Sequence, residues 1–243
     1  MIQLFLLHFA GGSIYSFDFL KQYLSQDIQV IPLELPGRGK RFEELALKTK
    51  KETIQDYVKQ ITLMRNNAPY CIFGHSMGAT LGLSVAHKMQ KLGDQPLSLI
   101  VSGNAGPGVT YDDEDPEKQK KKRYLMNDEE FKEELRELGG VPEEVLLNEE
   151  LYSFFMPIMR ADFEVLEKDE YSEEGIQLQV PIYAIMGTEE KTSAQIENWK
   201  RFTLSNFKYK ILEGNHFFIH KQCKELSEII KNCYEEYLQP SIL

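Results

Sequence analysis

One stretch of the sequence decides the fold, and it reads Y-C-I-F-G-H-S-M-G-A-T-L-G-L-S-V-A-H-K-M-Q-K-L-G from Tyr70 to Gly93. The apolar run from Tyr70 to Phe73 is too short and too rich in β-branched and aromatic side chains for a helix, which favours a buried strand. After a glycine-flanked turn, apolar or small residues recur at helical spacing, at Ala79, Gly82, Leu83, Ala86 and Met89. The stretch therefore predicts a strand, a sharp turn and a helix.

The turn carries the pattern G-x-S-x-G with Ser76 at its apex. Between a strand and a helix this pattern is typical of a nucleophile elbow. Such a turn strains the serine backbone and brings strand and helix so close that Gly74 and Gly78 can hardly carry a Cβ. The N–H of Met77 would lie in the first helical turn, where unpaired donors favour an anion. Alternatively, Ser76 is only a turn residue before a buried helix.

Strands and helices alternate on both sides of this stretch. Apolar runs predict further strands at 2–9, 28–33, 97–102, 180–186 and 207–211, and amphipathic patterns predict helices at 15–24, 52–64, 193–202 and 222–238. This alternation predicts an α/β fold with a mostly parallel sheet of about six to seven strands. Sites in such sheets lie at the carboxyl ends of the strands.

The alternation breaks between residues 104 and 179, where no strand is predicted. Asn127 resembles a helix N-cap because three acidic residues follow it, and the helix it begins should stop at Gly139. Another helix is predicted over 149–167. We expect 1–103 and 180–243 to form the core and 104–179 to form a helical lid insertion; the alternative is a packed helical subdomain without a gating role.

Composition limits the function further. The chain has 243 residues, enough for one large α/β domain, and its net charge of −10 argues against nucleic acid as a partner. No apolar run is long enough to cross a membrane, and the apolar amino terminus lacks the basic leader of a signal peptide. Cys71, Cys223 and Cys233 are odd in number and not spaced for metal, so we expect reduced thiols in a cytoplasmic protein.

A serine nucleophile needs a base and an orienting acid. His216 is the one histidine of five placed in a loop just past a predicted strand end. Glu189 and Glu190 follow the preceding strand, which gives the order Ser…Glu…His of this fold. Taken one at a time, the two glutamates could equally be solvated loop residues, and the histidine could equally cap a turn. Three suitable residues at three successive strand ends favour a catalytic triad.

The chain also resembles a known family in six segments: H-F-A-G-G-S at 8–13, E-L-P-G-R-G-K-R at 34–41, F-G-H-S-M-G at 73–78, L-G-G-V-P at 138–142, F-F-M-P-I-M-R-A-D-F at 154–163 and G-N-H-F-F-I at 214–219. These look like the type II thioesterases, stand-alone α/β-hydrolases associated with non-ribosomal peptide and polyketide synthases. The resemblance covers nearly the whole chain, including the insertion.

The resemblance implies a role for each matching residue. Ser76 matches the nucleophile, His216 the base, and Met77 and Ala10 the positions whose backbone N–H groups form the oxyanion hole. The acid position matches Glu190, where the family usually has aspartate, and Glu189 is the alternative acid. Neither a metal nor an organic cofactor is expected.

The resemblance further implies that the chain hydrolyses stalled or misprimed acyl groups on the phosphopantetheine arm of acyl- or peptidyl-carrier proteins. We expect the chain to be a monomer. Two other functions stay open: a broader acyl-CoA or carboxylester hydrolase, and a non-catalytic acyl-carrier-binding protein with a triad weakened by the glutamate.

Docking to an acidic carrier protein would require a local basic patch on this acidic chain. The candidates are Lys118, Lys120, Lys121, Lys122 and Arg123 in the insertion, with Arg38, Lys40 and Arg41 at the rim of the sheet. Solvated surface charges are the alternative interpretation. Apolar residues of the last insertion helix suggest an apolar acyl pocket: Tyr152, Phe155, Met156, Met159 and Phe163. Simple core packing of this apolar stripe is the alternative interpretation.

Overall fold

The computed structural model describes residues 1–109, 121–168 and 173–238. Six strands form one sheet in the order β2-β1-β3-β4-β5-β6, and every neighbouring pair is parallel. The strands are β1 Ile2–Leu7, β2 Ile28–Pro32, β3 Tyr70–His75, β4 Ser98–Ser102, β5 Ile182–Gly187 and β6 Phe207–Leu212. The predicted α/β class and its parallel sheet are therefore confirmed.

Seven α-helices occur in the described residues. They are α1 Asp18–Lys21, α2 Lys50–Met64, α3 Met77–Lys91, α4 Asp128–Leu138, α5 Glu143–Leu147, α6 Glu149–Glu167 and α7 Cys223–Leu238. The core fills both faces of the sheet because successive strand residues point to opposite sides. Phe5 and Leu7 of β1 pack on the face of α2 and α3, while Leu4 and Leu6 pack on the face of α1 and α7.

Two helix predictions need correction. Within the segment 15–24 only Asp18–Lys21 is α-helical, as the single turn α1. The flanking residues form hydrogen-bonded turns, and Phe17 packs into the core. The segment Ser193–Phe202 is a 3-10 helix. Its buried residues Ile196, Trp199 and Phe202 are spaced by three, which matches the three residues per turn of that helix.

The described part of the insertion, 121–168, is helical. Asn127 begins α4 with a reciprocal capping box to Glu130, and Gly139 ends it in the left-handed conformation with φ 72°. The helices bury an apolar cluster of their own, built by Phe131, Leu135, Leu146, Tyr152, Met156, Met159 and Phe163. Ala10, just beyond β1, packs against this cluster, so the insertion covers the carboxyl rim of the sheet. Among the helices described, none is both long and apolar enough to cross a membrane.

Candidate active site

Ser76 lies at the junction between β3 and α3 with φ 55° and ψ −112°. Within the described ranges it is the one non-glycine residue with positive φ. The flanking glycines are required by space. A Cβ on Gly74 would lie 2.1 Å from the carbonyl oxygen of Gly78, and a Cβ on Gly78 would lie 2.1 Å from that of Leu7. The strained turn therefore presents the serine hydroxyl at the end of the strand, as the sequence pattern predicts.

The structure brings Ser76, His216 and Glu190 together in one chain of hydrogen bonds. Nε2 of His216 lies 2.9 Å from the hydroxyl oxygen of Ser76, and its Nδ1 lies 2.7 Å from Oε1 of Glu190. A proton on Nδ1 donates to the carboxylate and leaves Nε2 to accept from the serine. The three residues come from the loops after β3, β5 and β6, as expected for the rim of a parallel sheet.

The two neighbouring glutamates occupy different environments. The Glu190 side chain is 8 % exposed, and its Oε2 accepts the backbone N–H of Gly187 at 2.6 Å. The longer side chain thus folds back over its own loop before it reaches His216. Glu189 is exposed, and its backbone N–H donates to the carbonyl of Gly214. Only Glu190 of the two is hydrogen-bonded to the histidine.

His75 packs behind the hydrogen-bonded histidine. The centroids of the His75 and His216 rings are 5.1 Å apart, and Nδ1 of His75 lies 3.0 Å from the hydroxyl oxygen of Ser102. Burial lowers the pKa of His75 well below its ordinary value, so this ring is neutral at pH 7. His75 therefore supports the position of His216 without competing for its proton.

Met77 and Ala10 line the same cavity as Ser76. Met77 is the first residue of α3, where backbone N–H groups lack partners within the helix. Gly78 fits against the carbonyls of Leu7 and His8, which brings the start of α3 beside the segment that leads to Ala10. The two backbone positions expected to stabilise an oxyanion thus lie on neighbouring segments that line the same cavity as the serine.

The cavity has a volume of about 740 Å³. It is lined by polar and apolar side chains, and α6 contributes the apolar residues Met159, Phe163 and Leu166 to its wall. Its lining also includes two ion pairs, Arg123–Glu167 and Lys50–Glu173. The Lys50 and Glu173 side chains are each 9 % exposed. Among the apolar residues suggested by the sequence, Met159 and Phe163 line this cavity, whereas Phe155 is exposed at 40 %.

The family model of the thioesterase domain matches residues 2–236. The chain belongs to the thioesterase domain family. The predicted resemblance to type II thioesterases is confirmed, as is the predicted α/β-hydrolase fold.

Two relatives and one solved structure are similar to the chain over nearly its whole length. Over 98% of its length the chain is 32% identical to a Brevibacillus parabrevis protein named linear gramicidin dehydrogenase LgrE, of which it covers 89%. Over 99% of its length it is 30% identical to gramicidin S biosynthesis protein GrsT of Aneurinibacillus migulanus, of which it covers 92%. The type II thioesterase BorB from the borrelidin biosynthetic cluster superposes with a TM-score of 0.81 at 29% identity, covering 96% of this chain and 92% of that chain.

The predicted basic patch of this thioesterase is wrong at Arg38. Its side chain is 4 % exposed and donates to both carboxylate oxygens of Asp162, at 2.6 and 2.7 Å. A buried, paired guanidinium is not available to a docking partner. Sequence reasoning placed this arginine on the surface and gave Asp162 no role. The one available signal was an aspartate between Met159 and Phe163 on the apolar face of α6.

The other basic candidates divide into two groups. Arg41 bonds to Glu44 and Asp56, and Arg123 bonds to Glu167, so both guanidinium groups are engaged within the thioesterase. The exposed lysines of the patch are Lys40, Lys121 and Lys122, of which Lys121 pairs with Glu130. Lys118 and Lys120 lie outside the described residues.

Proposed function

We propose that this thioesterase hydrolyses acyl thioesters held on the phosphopantetheine arm of carrier proteins, and so clears stalled or misprimed acyl groups from a peptide or polyketide synthase. The observation that carries the proposal is the hydrogen-bonded chain Ser76–His216–Glu190 in the wall of a cavity that α6 also lines with apolar side chains. Such a chain performs acyl transfer, which favours hydrolysis over the dehydrogenase chemistry named for one relative. We further propose that it acts as a cytoplasmic monomer.

Acylation begins when the hydroxyl oxygen of Ser76 attacks the thioester carbonyl and His216 accepts the hydroxyl proton at Nε2. The tetrahedral intermediate carries its negative charge on the former carbonyl oxygen. The backbone N–H groups of Met77 and Ala10 donate to that oxygen. Glu190 stabilises the imidazolium that forms. The C–S bond then breaks, and the leaving sulfur takes the proton from Nε2, which leaves the acyl group esterified to Ser76.

Deacylation repeats these steps with water. His216 removes a proton from a water molecule as the water oxygen attacks the acyl-enzyme, and the same two N–H groups stabilise the second oxyanion. Return of the proton to the serine oxygen breaks the ester and releases the carboxylic acid. The free enzyme is restored with its hydrogen bonds unchanged.

The experiment that tests the proposal compares kcat/KM of the wild type on an acyl-loaded carrier protein, the matching acyl-CoA and the p-nitrophenyl ester. We expect the loaded carrier to be the best substrate. Equal values for all three would favour the broader hydrolase. Tight binding of the loaded carrier without turnover would favour the non-catalytic binding protein.

Acyl-chain length should be set by the wall that α6 contributes. Leu166 follows Met159 by two helical turns, about 10 Å further along α6, and both residues line the cavity. A tryptophan at Leu166 would fill this space. We expect Leu166→Trp to lower kcat/KM for an octanoyl thioester by about tenfold or more, while the acetyl thioester changes by less than about twofold.

The matched control for this substitution is Leu147→Trp, because Leu147 on α5 is 70% exposed. It should leave both substrates unaffected. If Leu166→Trp slowed acetyl and octanoyl thioesters equally, the acyl chain would not occupy this part of the cavity.

Carrier docking should depend on the exposed lysines at 121 and 122. We expect Lys122→Glu to raise KM for an acyl-carrier by about threefold to tenfold at low salt, because a reversed charge repels an acidic partner. KM for a neutral acyl-N-acetylcysteamine thioester should not change. Lys231→Glu on α7, whose side chain is 54% exposed, is the control. An equal rise in KM for both substrates would contradict docking at Lys122.

A further inference from the structure

Asp162 of α6 is buried in the structure with three donors around its carboxylate. Its exposure is 1%, and its Oδ2 accepts the backbone N–H of Gly11 at 2.7 Å and an N–H of Arg38 at 2.6 Å. Its Oδ1 accepts the other terminal nitrogen of Arg38 at 2.7 Å. Arg38 in turn donates to the carbonyl of Gly12 at 3.2 Å. The ion pair therefore binds the backbone N–H of Gly11 and the backbone carbonyl of Gly12, the two residues that directly follow Ala10.

Met159 adds a steric contact to these hydrogen bonds. Gly11 has φ 74°, and a Cβ at this position would lie 1.8 Å from Sδ of Met159. Met159 and Asp162 are three residues apart on α6 and therefore share one face of the helix. This face touches the segment Ala10–Gly12 through a close packing contact and a charged hydrogen bond.

The neighbouring histidine does not compete for the carboxylate. Burial lowers the pKa of His8 to about 4, and the charge of Arg38 acts in the same direction. His8 is therefore neutral at pH 7, and Arg38 is the cation that balances Asp162. A buried ion pair adds little stability over apolar residues of similar size. Its specific contribution here is the pair of hydrogen bonds to the loop.

We propose that Asp162 and Arg38 are positioning residues that fix the backbone after Ala10, so that the oxyanion-binding N–H of Ala10 is correctly aimed only when α6 is seated. The proposal rests on the function proposed above. It makes the helical insertion part of the catalytic geometry, because α6 supplies the carboxylate that the loop requires. Displacement of α6 would remove the acceptor of the Gly11 N–H and release the loop.

The test is Asp162→Asn, assayed on an acyl thioester and on the matching trifluoromethyl ketone. The ketone adds to the serine and places an oxyanion where the tetrahedral intermediate has one. Loss of an oxyanion donor lowers kcat by about 10²- to 10³-fold, so we expect a misaimed donor to cost about tenfold to a hundredfold. KM should change by less than about twofold. The inhibition constant of the ketone should rise by the same factor as kcat falls.

Two further variants separate positioning from a merely structural role. Glu164→Gln changes a carboxylate of α6 that pairs with Lys48 and Lys168, and it should leave kcat and ketone inhibition as in the wild type. The double variant Arg38→Met with Asp162→Leu replaces the ion pair by apolar side chains, which should preserve folding. It lacks the acceptor for Gly11, so kcat should stay low even with a wild-type melting temperature.

The results that overturn the proposal are specific. A double variant with wild-type kcat would show that the pair serves packing alone. A fall in kcat of Asp162→Asn without weaker ketone inhibition would show that the oxyanion hole is not involved. A wild type that hydrolyses no thioester and does not bind the ketone would instead overturn the proposed function, and with it this inference.

Discussion

Ser76→Ala is expected to lower kcat for hydrolysis of a loaded carrier protein by about 10⁴- to 10⁶-fold, as removal of the nucleophile does in other serine hydrolases. The reason is that no acyl-enzyme can form, and the proposed oxyanion donors, the N–H groups of Met77 and Ala10, then act only on a direct attack by water. KM should change little, because the cavity wall and the docking surface are untouched. Single-turnover hydrolysis of a radiolabelled acyl-carrier measures both quantities.

Ser84→Ala is the matched control, since Ser84 is a buried serine on the same helix α3. It should retain nearly full activity. A fluorophosphonate probe should label the wild type and Ser84→Ala but not Ser76→Ala. Residual hydrolysis by Ser76→Ala above about one per cent of the wild type would mean that another group is the nucleophile.

The parts of this molecule that the sequence predicts are those determined by local pattern. The elbow is predictable because a tight strand–turn–helix junction excludes a Cβ at Gly74 and Gly78, and in the structure an added Cβ at either position would overlap a backbone carbonyl. The parallel sheet follows from alternating apolar runs and helical stripes, and its six strands lie within a few residues of the predicted bounds. His216 is predicted by the same reasoning because it lies in the loop that follows β6.

The parts that the sequence does not predict depend on contacts between distant segments. Arg38 stands in a loop rich in glycine and proline, where a charged residue is usually exposed, but its partner Asp162 is 124 positions away. No local pattern carries that information. The local sequence does not decide between Glu189 and Glu190 either. Both are glutamates in the same loop, and they differ only in the direction in which the side chain points. The backbone bonds of the loop, including Glu189 N–H to Gly214, decide that direction.

Replacing Glu190 should have the second-largest effect. We expect Glu190→Gln to lower kcat by about 10²- to 10⁴-fold, since loss of the proposed triad carboxylate leaves the histidine tautomer unfixed and its imidazolium unstabilised. Glu189→Gln should lie within about twofold of the wild type, because that side chain is exposed and does not contact His216. Steady-state hydrolysis of one acyl thioester by both variants is the measurement.

If Glu189→Gln were the slower of the two variants, Glu189 would be the triad acid, and the roles proposed for Ser76 and His216 would be unchanged.

The Glu190→Asp variant tests the contribution of the additional methylene group of glutamate. In this chain the carboxylate spans the Gly187 N–H and Nδ1 of His216, at 2.6 and 2.7 Å. A side chain one methylene shorter cannot keep both bonds unless the loop moves. We therefore expect Glu190→Asp to be slower than the wild type but faster than Glu190→Gln, because it keeps the charge beside the histidine and loses only its placement.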